Sequence, residues 1–122
     1  MKGGANVKII DNNAFTKDKK LAKLPNFKKL EKLGNNAFKN CIALKKFTIG
    51  ASIQNIGKAA FSGCKALTAL TISSKNLTAK MVASGAFKGM SGKLTVKCPK
   101  GKKSSYEEIL RKKGLPKSAT VK

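Results

Sequence analysis

Residues 56–72 read Ile56-Gly57-Lys58-Ala59-Ala60-Phe61-Ser62-Gly63-Cys64-Lys65-Ala66-Leu67-Thr68-Ala69-Leu70-Thr71-Ile72, and this stretch decides the fold. The same apolar offsets occur upstream in Leu33-Gly34-Asn35-Asn36-Ala37-Phe38-Lys39-Asn40-Cys41, followed by Leu44 and Phe47-Thr48-Ile49. Leu30 and Ile53 extend the match further towards the N-terminus. The beat is an Ala-Phe pair: Ala14-Phe15, Ala37-Phe38, Ala60-Phe61 and Ala86-Phe87, with steps of 23, 23 and 26 residues between phenylalanines. A fixed period of this size marks a stacked-repeat architecture, in which each unit buries its apolar face against its neighbours.

Each unit mixes two periods. The run Phe47-Thr48-Ile49 alternates as a half-buried strand does. Gly50-Ala51-Ser52, or Ser73-Ser74-Lys75, then supplies a turn of small polar residues. The segment through Gly57 to Cys64 is expected to return to the strand by a tight or short helical arc. Stacking predicts a narrow parallel sheet along one side and a ladder of phenylalanines (Phe15, Phe38, Phe61, Phe87) inside. Each buried phenylalanine contributes on the order of 1.5–3 kcal/mol. The first unit is degenerate: Asp18 stands where a cysteine should be, while Leu21 and Leu24 keep the register. The fourth carries about three extra residues before Ala86-Phe87, has Met90 in the cysteine slot, and resumes at Leu94-Thr95-Val96.

The motif Ile-Gly-x-x-Ala-Phe-x-x-Cys-x-x-Leu-x-x-Leu-x-Ile resembles the BspA-like, or treponemal, subclass of leucine-rich repeats, over roughly residues 7–96. The resemblance implies an α/β repeat solenoid: a short leucine-rich-repeat array of about four coils with a narrow parallel β-sheet, capped by a C-terminal helix. The coils fall at about 1–23, 24–46, 47–72 and 73–96, and the cap at 97–122. The resemblance also implies a secreted or surface-displayed bacterial protein of adhesin or matrix-binding type, although the same repeats occur in some mucosal protozoa. Because arrays normally begin with a cap, the opening reads as mid-array, as in a fragment or mature segment. Met1-Lys2-Gly3-Gly4 has no apolar stretch behind it, and no apolar run approaches the ~20 residues of a membrane span.

In the tail, Ser104 with Glu107 three residues later suggests a capping box, with a helix near 105–113. Arg111, Lys112 and Lys113 occupy its last turn, and Gly114 then Pro116 stop it. Tyr106, Ile109 and Leu110 share one face and are expected to cover the last coil. Ala119-Thr120-Val121 suggests a short final strand.

The chain is expected to be non-catalytic. It has no histidine, the commonest proton shuttle. Its adjacent acids Glu107 and Glu108 would point in different directions on a helix. Gly101-Lys102-Lys103-Ser104 lacks the upstream glycine of a phosphate loop. No cofactor is expected. Cys41 and Cys64 occupy equivalent places on neighbouring coils about 4.8 Å apart, within disulfide reach, but a repeated buried thiol is the preferred reading. Cys98 is unpaired near the cap, and three cysteines on distant coils do not make a zinc site.

Charge is the other extreme. Against 27 basic residues stand five acids, Asp11, Asp18, Glu31, Glu107 and Glu108, giving a net +22, and Arg111 is the sole arginine. Aligning the strands predicts an outward face with a threonine column (Thr48, Thr71, Thr95) beside Lys23, Lys46 and Lys93. A second basic patch, Lys100, Lys102, Lys103, Arg111, Lys112 and Lys113, lies in the cap. Such charge attracts polyanions by counterion release, specific or not.

Three functions compete. The first is an extracellular or cell-surface module whose sheet face recognises a host protein, a glycosaminoglycan or an anionic wall polymer. The second is a basic protein, cytoplasmic under this alternative, that binds nucleic acid or obstructs a nucleoprotein. Scarce arginine and exposed aromatics argue against base readout in that case. The third is a structural spacer.

Overall fold

A computed structural model describes residues 4–122. Met1 to Gly3 of the first expected coil lie outside the described residues. Seven short strands follow in order: β1 (Ile9–Ile10), β2 (Lys32–Leu33), β3 (Lys46–Ile49), β4 (Asn55–Ile56), β5 (Ala69–Ile72), β6 (Thr95–Lys97) and β7 (Thr120–Val121). One α-helix, α1 (Lys103–Lys112), lies between β6 and β7. All pairings are parallel.

The expectation of one sheet is corrected to two. β1, β2 and β4 form one ladder, and β3, β5, β6 and β7 form the other. The first arises just before each arc, where Ile10, Leu33 and Ile56 turn inward. Here each unit donates back to the one before it: Gly34 N–H to Ile10 O and Gly57 N–H to Leu33 O, both at 2.7 Å. Gly57 is glycine because a Cβ there would come within 2.5 Å of the Asn35 backbone nitrogen. Gly34 meets the same obstacle in Asn12.

The arcs are not helical. Counting from each phenylalanine, the residues two before and two after have positive φ: Asn13 and Lys17, Asn36 and Asn40, Ala59 and Gly63, Gly85 and Gly89. Alternating handedness turns successive odd-numbered or even-numbered N–H groups to one side, where the next unit accepts them. Phe15, Phe38 and Phe61 donate to Ala37, Ala60 and Ala86 O, each at 2.8 Å. The intervening N–H groups close turns within their own unit, such as Ala37 N–H to Gly34 O and Cys41 N–H to Phe38 O. Asn and Gly dominate the left-handed positions because they tolerate that conformation at least cost.

The phenylalanine ladder forms as expected. Ring centroids are 5.4 Å apart for Phe15–Phe38, 5.7 Å for Phe38–Phe61 and 5.6 Å for Phe61–Phe87, all stacked. Phe47 tilts onto Phe38 and Phe61 at 5.3 and 5.2 Å, filling the space between them. Phe38, Phe61 and Phe87 are fully buried; Phe15, at the end, is half-buried.

At the C-terminus the expected start of the helix changes. The capping box at Ser104 does not form: α1 starts at Lys103, its N-cap is Lys102, and no side chain caps it. The turn Lys102 N–H to Pro99 O starts the helix early and places Ser104 inside it. Glu107 and Glu108 instead pair one turn on, with Arg111 at 2.9 Å and Lys112 at 3.3 Å. The stop signal is as read. Gly114 has φ +101°, and Leu115 N–H returns to Leu110 O. Tyr106 and Leu110 are buried and Ile109 half-buried, and the final strand pairs with β6.

The three extra residues of the fourth unit include a short 3-10 turn at Ala79–Met81. Tyr106 holds this insertion, its hydroxyl donating to Ser74 O (2.7 Å) and accepting from Leu77 N–H (3.1 Å). Truncating the centre of the phenylalanine ladder removes contacts on both neighbours. Phe61→Ala is expected to cost about 3–5 kcal/mol in a denaturant titration, and an unchanged midpoint would contradict the stacking.

Candidate functional site

The four-stranded sheet carries four of the six predicted ligand residues, Lys46, Thr48, Thr71 and Thr95. Along β3 the exposed Lys46 and half-exposed Thr48 alternate with buried Phe47 and Ile49. β5 repeats this with Ala69 and Thr71 outside, Leu70 and Ile72 inside. Lys46 lies opposite Ala69 and Thr48 opposite Thr71, as the 23-residue period requires.

The fourth unit departs from the expected columns. Thr95 pairs with Ala69, not with Thr71, and Lys97 takes the place opposite Thr71. The physical reason is that the insertion shifts the whole unit by 26 residues, so Val96 replaces Leu70 in the core. The resemblance of Leu94-Thr95-Val96 to Leu70-Thr71-Ile72 misaligns it by two. The observed columns are Lys46–Ala69–Thr95–Thr120 and Thr48–Thr71–Lys97, with Lys122 following beside Lys97. Lys93 is exposed in the turn ahead of β6, where its N–H bonds the Ser91 hydroxyl, so it lies off the strands. Lys23 is exposed but also off the sheet, since residues 22–26 form no strand and make no backbone hydrogen bond to β3. Lys97 was legible in principle: it lies ten residues after Phe87, as Thr48 and Thr71 lie ten after Phe38 and Phe61.

Electrostatically this face is one-sided. All five acids lie elsewhere, with Asp11, Asp18 and Glu31 in or beside the arcs and the first sheet, and Glu107 and Glu108 on α1. Lys46 and Lys97 are separated by two strand spacings and two residues, roughly 12 Å between Cα positions.

The second expected patch is divided. Lys100 and Lys103 are exposed and Lys102 half-buried at the start of α1, whereas Arg111, Lys112 and Lys113 sit at its far end, about 13 Å away along the axis. Arg111 is occupied internally. Its guanidinium bonds Glu107, Pro116 O and Ala119 O, fastening β7 to the helix. Lys112 is paired with Glu108.

The cysteines are structural. Cys41 and Cys64 are buried free thiols, and each donates to the carbonyl of the preceding unit's phenylalanine: Cys41 Sγ to Phe15 O (3.0 Å), Cys64 Sγ to Phe38 O (2.9 Å). Burial pushes the Cys64 thiol from 9.0 up to about 12, and also raises Cys41 and the half-buried Cys98. Among the described residues no cluster of His, Cys, Asp or Glu could hold a metal. The raised value carries a sign for stability. Below pH 9 the contribution of the protonated thiol is fully present; between 9 and about 12 the unfolded chain releases a proton that native Cys64 keeps. Stability therefore falls as pH rises through that window, and Cys64→Ala should flatten the fall in paired unfolding titrations.

No helix among the described residues is long and apolar enough to cross a membrane. Neither a curated protein nor a solved structure matches the chain. The family model of the BspA type leucine rich repeat region does match, in six copies spanning residues 3–114. That span is nearly the whole chain, and its period is the one the phenylalanine ladder builds in three dimensions; the protein belongs to the BspA-type leucine-rich-repeat family.

Proposed function

We propose that this chain is a non-catalytic binding module, a short solenoid of about four coils (1–96) with a C-terminal cap (97–122), that engages an anionic partner through the outer face of its four-stranded sheet. The observation that carries the reading is the sheet itself, which displays Lys46, Lys97 and the threonines Thr48, Thr71, Thr95 and Thr120 with no acid among them. Threonine hydroxyls donate to sulfate, carboxylate or carbohydrate oxygens, and lysines supply charge without the planar fork that base recognition uses. Family membership supports a protein- or polymer-binding role at a bacterial surface or outside the cell. The nucleic-acid reading loses its sole arginine to internal bonds.

A binding titration against heparin, single-stranded RNA and duplex DNA at rising salt tests this. Heparin is expected to bind more tightly and to persist at salt concentrations that release both nucleic acids. Lys46→Glu with Lys97→Glu should weaken heparin at least about tenfold more than Lys58→Glu with Lys75→Glu. Equal losses for the two pairs, with parallel salt slopes for all three polymers, would mean generic attraction and overturn the dedicated face.

A further inference from the structure

β3 is paired on one side only. Its odd-numbered residues serve β5: Lys45 O accepts from Thr68 and Ala69 N–H, and Ile49 O accepts from Ser73 N–H. Strand alternation sends the N–H and C=O groups of Lys46 and Thr48 the other way, towards the first unit. There the ladder stops. No backbone hydrogen bond joins residues 22–26 to β3. Between the two units the structure leaves a cleft of about 230 Å³, lined by Leu24, Pro25, Asn26, Lys46, Phe47 and Thr48. Both walls are internal to the described chain.

We propose that this open edge accepts a short extended segment of a partner protein by strand addition, and that the segment alternates acidic with small apolar residues. The backbone groups of Lys46 and Thr48 supply the register, as an unpaired edge does in any sheet. Leu24, Pro25 and Phe47 offer the apolar side of the cleft. The exposed Lys23, Lys45 and Lys46 supply the charge, and the acids of the first unit, Asp11 and Asp18, lie in its arc before Leu21. This site adjoins the flat sheet face and shares Lys46 and Thr48 with it, but its register comes from their backbone groups. It uses backbone groups that a free polyanion cannot pair in register.

The test uses the full chain and the peptide acetyl-DVDVDV-amide, unmodified or N-methylated either at its valine or at its aspartate nitrogens. Only one of the two methylated sets can face β3. The expected result is binding by the unmodified peptide and by one methylated form, with the other about tenfold weaker or worse. Hydrogen exchange at the Lys46 and Thr48 amides should slow on binding. Equal affinity of both methylated forms, unchanged exchange at Lys46 and Thr48, or no binding at millimolar peptide would each overturn the proposal. Loss of heparin selectivity alone would touch only the sheet-face reading.

Discussion

Each core phenylalanine donates its backbone N–H to the next unit, and the remainder of the structure follows from that bond. Phe15, Phe38 and Phe61 reach the alanine carbonyls of the following arcs, and Phe87 reaches Lys113 O at the end of the helix. An arc can offer its N–H groups this way only if the residues two before and two after the phenylalanine turn left-handed. That condition brings the units close enough for the rings to stack at 5.4–5.7 Å. It also puts each buried thiol against the preceding phenylalanine carbonyl, so Cys41 and Cys64 belong to the ladder and not to redox chemistry. Buried backbone groups left unpaired would cost more than the rings gain, so the two features stand together.

The opposite direction of bonding on the first sheet completes the arrangement. Units donate forward through their arcs and backward through Gly34 and Gly57. Each internal unit is thereby held from both sides. Where the pattern fails, it fails locally. Residues 22–26 make no backbone bond to β3 and leave its edge open, and the insertion in the fourth unit displaces the strand by three residues and is secured by Tyr106.

Much of this was readable from the chain alone. The Ala-Phe beat gave the stacking, and Gly114 and Pro116 the end of the helix. The left-handed positions were less visible because Asn36, Ala59 and Gly85 share no side-chain chemistry, only a backbone requirement. The second sheet was hidden for a related reason: its strands are two residues long, too short for alternation to declare itself. The proposed binding face was half legible. Thr48, Thr71 and Lys46 follow from the period, but the 26-residue step of the fourth unit moves Thr95 and Lys93 out of their expected places, and Lys23 lies off the strands. Arg111 was counted with the surface cations by its position in the last helical turn. Its three internal bonds depend on how Pro116 and Ala119 fold back, which no local pattern reports.

Native-state hydrogen exchange of the amides of Phe38 and Phe61 is the measurement that bears most directly on the forward ladder. The account predicts that both exchange only by opening of the whole array, with the same protection as Leu70 in the four-stranded sheet. If the phenylalanine amides exchanged at the rates of exposed turns while Leu70 stayed protected, the arcs would be loose connections, and the ladder could not be what holds the units together.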